Sequence, residues 1–172
     1  MMVQNDEALL GRLKQHDLDF VVIGGVCCVY YGVPMATFDL DICCRFDESN
    51  LKKLEAALRD LHPYHRLTPQ KLPFELTPEL CLTLKNLYLQ TDLGRLDCLS
   101  EVLGIGGYED VLRNSQSVTL SYGEFRFLQL DALVRSKEKA GRERDLAHLR
   151  HLKPIKEKLD KKKSNQSKQP DH

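Results

Sequence analysis

Two aspartates separated by one residue lie inside an otherwise apolar segment, GVPMATFDLDICC at residues 32–44. Alternate side chains of a β-strand point to opposite faces, so Asp39 and Asp41 would share one face with Thr37. Neighbours on one face lie roughly 6 to 7 Å apart, which lets two carboxylates converge on one or two cations. Without a cation, the two charges repel and the pKa of at least one carboxyl group rises. The spacing therefore indicates a site for a divalent metal ion with oxygen ligands.

The other face of the same strand is apolar. It carries Phe38, Leu40, Ile42 and Cys44, and we expect these side chains to anchor the strand in the core. An Asp-x-Asp pair on an exposed strand can also be a solvated acidic face that binds nothing. The flanking sequence has to decide between these two interpretations.

A glycine pair precedes the acidic strand. Gly24 and Gly25 separate the apolar strand DFVVI from a helix that begins near Val26. Glycine lets a ligand approach the backbone, and the free N–H groups of a helix N-terminus can bind phosphate. A strand-to-helix turn can equally use glycine for its φ angle alone.

A third carboxylate lies further along the chain. Asp97, in GRLDCLS, faces away from Leu96 and Cys98 if this segment is a strand. A position beside the strand at residues 37–44 would bring this carboxylate to the same face. Three aspartates from two strands, next to a helix start, form a candidate site for Mg²⁺.

The elements that would position these residues alternate between helix and strand. The first half of the chain is predicted to have a helix at 5–15, a strand ending at the glycine pair, a short helix up to Gly32, the strand 37–44 and a helix at 47–61 capped by Asp47 or Ser49. The segment at 62–79 is predicted to be mostly loop, with a helix or a strand inside it. The second half is predicted to have strands around a turn at 92–94, a helix at 106–115, a hairpin turning near 122–123, and two helices over 131–152 that meet near Gly141. This order indicates an α/β (α+β) fold, with a mixed, twisted sheet of about four to six strands and helices packed on it.

Composition limits the function classes. The 172 residues suit one domain, assigned to residues 1–152, followed by a lysine-rich tail at 153–172 that we expect to be a frayed helix end and then disordered. The net charge of +0 gives no strong nucleic-acid signal. No apolar run reaches the roughly 20 residues of a membrane span, and the N-terminus has no signal-peptide pattern, so we expect a cytoplasmic protein without a membrane partner. The six cysteines form no C-x-x-C pair and are expected to be reduced, buried thiols.

Three segments resemble a known family. They are VIGGVCCVYYGVPMATFDLDI, LGRLDCLSEVLGIGGYEDVL and LDALVRSKEKAGRERDLAHLRHL, in this order. Together they resemble the DNA polymerase β-like nucleotidyltransferase superfamily, and in particular its small bacterial members of abortive-infection and toxin–antitoxin type. The resemblance covers about residues 8 to 152.

The resemblance implies the nucleotidyltransferase fold and the transfer of a nucleotidyl group from an NTP to an acceptor hydroxyl, with Mg²⁺ or Mn²⁺ as cofactor. Asp39 and Asp41 would hold the metal ions. Asp97 would hold the catalytic metal ion and help to deprotonate the acceptor.

The same resemblance implies a nucleotide-binding set: Gly24, Gly25, Thr37, Lys137 and Arg142. The glycines would contact the triphosphate, and the two basic side chains would neutralise its charge, with Asp145 orienting one of them. On the sequence alone, Lys137 is equally compatible with the surface of an amphipathic helix, and Arg142 with an ordinary i,i+3 ion pair to Asp145.

One position departs from the family pattern. Small members commonly carry arginine where this chain has Met35, so one cation near the site is missing. Three functions stay open: an enzyme, a non-catalytic module of the same fold that binds nucleotide or a partner, and the toxin-like half of a pair held by an antitoxin-like protein. The acceptor, whether a small molecule, a protein or an RNA, has no readable motif, because the loop at 62–79 and the C-terminal helices would recognise it.

Overall fold

Helices and strands alternate along residues 3–166, the part of the chain that the computed structural model describes. The strands are β1 (Phe20–Val22), β2 (Leu40–Cys44), β3 (Tyr64–His65), β4 (Asn86–Thr91), β5 (Gly94–Leu99), β6 (Glu101–Val102), β7 (Gly106–Gly107), β8 (Ser115–Leu120) and β9 (Gly123–Leu128). The helices are α1 (Asp6–Gln15), α2 (Gly24–Tyr30), α3 (Glu48–Leu58), α4 (Pro78–Thr83), α5 (Tyr108–Arg113), α6 (Leu130–Ala140) and α7 (Glu143–Gln166).

One mixed sheet of seven strands organises the fold, in the order β3-β4-β5-β2-β1-β9-β8. The pairs β2–β5 and β1–β9 are parallel, and the other neighbours are antiparallel. Strands β6 and β7 form a separate two-stranded ladder. The predicted α+β class is confirmed, but the predicted strand number was too low. The two-residue strands β3, β6 and β7 are too short to show a periodicity in the sequence.

The strands at the centre of the sheet are the most deeply buried. All three residues of β1 are buried, and β2 pairs with it antiparallel, Val21 opposite Cys43. Leu40 and Ile42 of β2 are fully buried, as predicted. Phe38, predicted to anchor the same face, is instead 73% exposed. The ladder with β1 and β5 begins only at Leu40, and the chain bends just before it, so strand alternation does not extend back to Phe38.

Capped helices cover this sheet. The Asn5 side chain accepts a hydrogen bond from Ala8 N at the start of α1, and the Asp47 side chain accepts one from Asn50 N at the start of α3, one of the two predicted caps. Both helices contact each other and bury leucines completely: Leu9, Leu10, Leu13, Leu51, Leu54 and Leu58. Helix α2 contacts β2, and α6 contacts both α2 and α7. The core therefore fixes the two ends of the glycine turn, because β1 and α2 both belong to it.

Two segments were predicted only in outline. The segment at 62–79, predicted to be mostly loop with a helix or strand inside it, contains β3 and the beginning of α4. The chain from Lys153 onward was predicted to be a frayed helix end followed by a disordered tail, and its residues 153–166 continue α7. Leu152 is fully buried, and Lys156 pairs with Asp160 one turn ahead and with Asp131 of α6, so tertiary contacts carry the helix past the change in composition. Residues 167–172 of that tail lie outside the described part of the chain.

The C-terminal helices and the cysteines can also be compared with the sequence predictions. Helices α6 and α7 separate at Gly141, whose φ of 62° is left-handed. The six cysteines are free thiols, and all except the partly exposed Cys81 are buried. Within residues 3–166, the helices are all too short or too polar to cross a bilayer.

The exposed Phe38 and the buried Leu40 give a test of the fold. Leu40→Ala is expected to lower the free energy of unfolding by about 2 to 5 kcal/mol, because it leaves a cavity in the hydrophobic core. Phe38→Ala removes a larger side chain but is expected to cost under about 0.5 kcal/mol. Urea denaturation of both variants measures the difference. Equal losses would contradict the assigned start of β2.

Candidate active site

Parallel pairing of β2 with β5 assembles the acidic cluster, which we define as Asp39, Asp41 and Asp97. Asp41 and Asp97 are direct partners in the register of the two strands. One carboxylate oxygen from each of the three residues lies within 4.8 Å of those of the other two. The structure thus brings together the three aspartates that the sequence singled out, although Asp39 precedes the strand rather than belonging to it.

The pKa of the Asp41 carboxyl group is shifted by its surroundings. Burial raises its pKa to about 7, and the negative charges of Asp39 and Asp97 add to that effect. A hydrogen bond from the Gly25 backbone N–H and the positive charge of Lys137 act in the opposite direction. In the absence of a metal ion, the protein thus holds this acid partly protonated near neutral pH.

The glycine pair has a local steric reason. Gly24 has a left-handed φ of 64°, and a Cβ atom there would overlap the Asp41 carboxylate. A Cβ at Gly25 would lie 3.1 Å from Thr37 Cγ2 and 3.6 Å from Met35 Cε. The turn therefore needs glycine for two reasons: the left-handed φ angle, and the close approach of the start of α2 to the acidic cluster.

Thr37 and Met35 line the other side of this turn. Thr37 Oγ1 donates a hydrogen bond of 3.3 Å to Asp6 Oδ2 in α1. Burial raises the pKa of Asp6, while hydrogen bonds from Gln4 and Thr37 partly offset that rise. Met35 is half-buried and packs against the core beside Gly25. Apolar packing thus occupies the position where the related motif carries arginine.

A guanidinium reaches the cluster from a different element. Arg66, directly after β3, forms a two-pronged ion pair with Asp97: Nη1 with Oδ1, and Nη2 with Oδ2 at 2.8 Å. The Arg66 and Asp97 side chains are only 18% and 9% exposed. Sequence reasoning missed Arg66, because it lies in a segment interpreted as a loop, 31 residues from its partner. Arg66 could have been found only by predicting that β3 is an edge strand paired with β4, which would place Arg66 near Asp97.

The basic residues implied by the resemblance form a second charged group. Lys137 Nζ of α6 donates to Asp145 Oδ1 at 3.0 Å, and Arg142 Nε donates to Asp145 Oδ2 at 2.7 Å. Asp145 is only 1% exposed. Burial alone would raise the pKa of Asp145, but the hydrogen bonds from Arg142 and Lys137 outweigh it and lower that pKa. Lys137 is 8% exposed, so it is not the surface lysine that the sequence also allowed.

An open cavity of about 510 Å³ joins the two charged groups. Its lining includes Gly24, Asp41 and Asp97 together with Lys137 and Arg142. A volume in this range is typical of sites for small ligands. The cavity offers carboxylate oxygens, which suit a hard cation, and also ammonium and guanidinium groups, which suit phosphate.

The raised pKa of Asp41 predicts a pH dependence of stability. Between its ordinary value of 3.8 and about 7, the folded protein binds more protons at Asp41 than the unfolded chain does, so its stability falls as the pH rises through this window. In EDTA, Asp41→Asn is expected to stabilise the protein at pH 8 by on the order of 2 to 4 kcal/mol, with little effect below pH 4. Urea denaturation from pH 4 to 8 measures this. Identical pH profiles of variant and wild type would contradict the assignment.

The sequence matches no protein-family profile and no curated protein. Similarity to solved structures is extensive, with TM-scores above 0.5 despite low sequence identity. A protein from Thermotoga maritima, assigned as a nucleotidyltransferase, has 19% identity and a TM-score of 0.54 over 83% of this chain and 86% of its own. ANT(2'')-Ia, solved with adenylyl-2''-tobramycin, has 11% identity and a TM-score of 0.51 over 90% of this chain and 94% of its own. An antigenic nucleotidyltransferase-like protein from Paracoccidioides brasiliensis has 14% identity and a TM-score of 0.54 over 89% of this chain and 78% of its own. The chain therefore has the fold of the nucleotidyltransferases.

Proposed function

We propose that this chain is a metal-dependent nucleotidyltransferase that transfers an NMP group from an NTP to an acceptor hydroxyl. The observation that carries the proposal is the acidic cluster, with its three oxygens within 4.8 Å of one another on the central strands of this fold. The fold that the chain shares with nucleotidyltransferases supports the same reaction class.

The acidic cluster fits a hard divalent cation. Its candidate ligands are all carboxylate oxygens, which Mg²⁺ and Mn²⁺ prefer. Among residues 3–166, no lysine, arginine or histidine forms an ion pair with Asp39 or Asp41, so both carboxylates are available as ligands. When bound, an ion of this kind polarises a phosphoryl oxygen and favours deprotonation of the attacking hydroxyl.

The chain's own residues account for the rest of the reaction. The acceptor oxygen forms a bond to the α-phosphorus, the α–β phosphoanhydride bond breaks, and pyrophosphate leaves with the bonding electron pair. The acceptor proton passes to a carboxylate, a role for which the family resemblance implies Asp97. Because phosphoryl transfer needs positioning and charge neutralisation more than covalent participation, the arrangement of these side chains is the protein's main contribution.

The nucleotide is proposed to lie in the cavity between the two charged groups. Lys137 lines that cavity, and Asp145 fixes its ammonium group, so it can face a phosphate without a large entropic cost. Arg142 is tethered in the same way. Gly24 and Gly25 would bring the backbone close to the triphosphate, although the Gly25 N–H already serves Asp41.

The acceptor class can be narrowed only as a proposal. ANT(2'')-Ia was solved with a nucleotidylated antibiotic bound, which makes a hydroxylated small molecule the first acceptor to test. A protein or an RNA acceptor stays a prediction, as does an antitoxin-like partner.

A non-catalytic binding module of the same fold is the second candidate. Two observations favour it. The side chain of Met35 packs against the core at the position where the related motif carries a charged arginine, and Arg66 donates hydrogen bonds to both carboxylate oxygens of Asp97. Such a module would bind a nucleotide in the cavity without turnover. Binding and transfer therefore have to be measured separately.

The acidic cluster provides the test of transfer. Wild-type protein is incubated with each of four labelled NTPs, Mg²⁺ or Mn²⁺, and panels of hydroxylated small molecules, protein and RNA, and both labelled product and pyrophosphate are measured. We expect metal-dependent product, and a loss of about 100-fold or more in Asp41→Asn and Asp39→Asn. Asp92→Asn, in the exposed β4–β5 turn, is the matched control and should keep full activity.

Thermal shifts with the same nucleotides separate the two candidates. A metal-dependent rise in Tm for one or a few NTPs, without product, would favour the binding module. If no nucleotide gives either product or a shift in Tm, both candidate functions are overturned. Turnover that survives Asp41→Asn would exclude the acidic cluster as the site.

A further inference from the structure

The ion pair between Arg66 and Asp97 depends on the lateral alignment of four strands. Asp41 of β2 is opposite Asp97 of β5, and Asp97 is opposite Tyr88 of β4. Arg66 continues β3 by one residue, and its backbone N–H donates to Tyr88 O at 3.0 Å. Four residues thus lie at one level across the sheet, and the two outer ones are Arg66 and Asp41.

The Arg66 side chain has to cross one strand in order to reach Asp97. It passes over the Tyr88 ring, with its guanidinium carbon 5.5 Å from the ring centroid. The guanidinium then donates one hydrogen bond to each oxygen of the Asp97 carboxylate. Arginine binds carboxylates most strongly in this two-pronged geometry. The charges of Asp39 and Asp41 also attract this guanidinium.

Arg66 pairs directly with a carboxylate of the acidic cluster. Three carboxylates within 4.8 Å of one another repel. The charge of Lys137 also lowers the pKa of Asp41, but the Lys137 ammonium group donates its hydrogen bond to the buried Asp145. Arg66 therefore contributes part of the positive charge that a divalent ion would contribute, and it does so on Asp97 itself.

Arg66 is also placed where it can leave. Strand β3 is a two-residue strand at the edge of the sheet, and Arg66 lies just beyond it. The guanidinium can swing away from Asp97 by rotation of its own side chain, without breaking any pairing between the central strands. Two positive groups cannot share one carboxylate at full strength, because their mutual repulsion at about 4 Å is several kcal/mol even with partial screening.

We propose that Arg66 is a stand-in cation that competes with the divalent metal ion for Asp97, so that its release from Asp97 sets the metal affinity of the site. This inference rests on the metal site of the proposed function and adds a residue that regulates it. The opposite role, in which Arg66 supports metal binding by holding Asp97 in place, predicts the opposite sign in the same measurement.

The test measures Mn²⁺ binding in the absence of nucleotide, using the electron paramagnetic resonance signal of the free ion as the readout. Arg66→Gln is expected to tighten binding on the order of tenfold, since one repelling charge is removed. The matched control is Arg12→Gln, which removes an equally forked pair with Asp60 at the protein surface and should stay within about twofold of wild type. In an Asp97→Asn background, Arg66→Gln should have little further effect, because the competition acts through Asp97.

Thermal unfolding gives a second readout. In EDTA, Arg66→Gln should have a lower Tm than Arg12→Gln, because it leaves the buried Asp97 carboxylate unpaired, and saturating Mn²⁺ should raise its Tm more than that of wild type. If Arg66→Gln does not fold, Arg66→Lys keeps the charge but loses the fork, and it should bind Mn²⁺ between twofold and tenfold more tightly than wild type.

The failures of the two proposals are distinguishable. Mn²⁺ binding that weakens or stays unchanged in Arg66→Gln, while still requiring Asp41, overturns the role of Arg66 and leaves the metal site standing. Mn²⁺ binding that is insensitive to Asp41→Asn, or absent from wild type and Arg66→Gln alike, overturns the metal site and the role of Arg66 together.

Discussion

The parallel pairing of β2 with β5 sets two acids side by side in the middle of the sheet, and the candidate site follows from that constraint. Register places Asp41 opposite Asp97, and neither carboxylate can move far, since the apolar residues of both strands are fixed in the core. A shift of either strand by one residue would turn its aspartate to the opposite face, where the strand carries buried leucine and cysteine side chains. The same hydrophobic packing that stabilises the sheet therefore also keeps like charges together.

Neighbouring elements are shaped by this concentration of charge. Gly24 has no Cβ because the Asp41 carboxylate occupies that space, and the Gly25 N–H donates to the same group. On the opposite side, Arg66 pairs with Asp97 across β4. The Gly25 N–H and the Arg66 guanidinium thus each offset part of this local excess of negative charge, the first by a hydrogen bond to Asp41 and the second by an ion pair with Asp97.

Much of the fold could be predicted because its signals are local. Periodicity gave the leucine-rich helices, and the turn at residues 92–94 gave the β4–β5 hairpin. The three acids could be grouped because their order along the chain matches a known motif. Phe38 was misplaced because the end of a strand depends on its pairing partners and not on alternation. Arg66 was missed because its contact with Asp97, 31 residues away and on the far side of β4, leaves no trace in a local pattern.

The contrast between Met35 and Arg66 shows why loss of a motif residue does not settle a function. The segment around Met35 has no cation beside the acidic cluster. In the folded protein a guanidinium is nevertheless present there, because Arg66, directly after β3, pairs with Asp97. The two placements are not equivalent physically. A cation on the glycine side could face a bound phosphate while leaving the carboxylates free, whereas Arg66 occupies Asp97 directly. Positive charge is therefore present near the site, but it is paired with the Asp97 carboxylate, so any ligand that needs that carboxylate has to act against a buried ion pair.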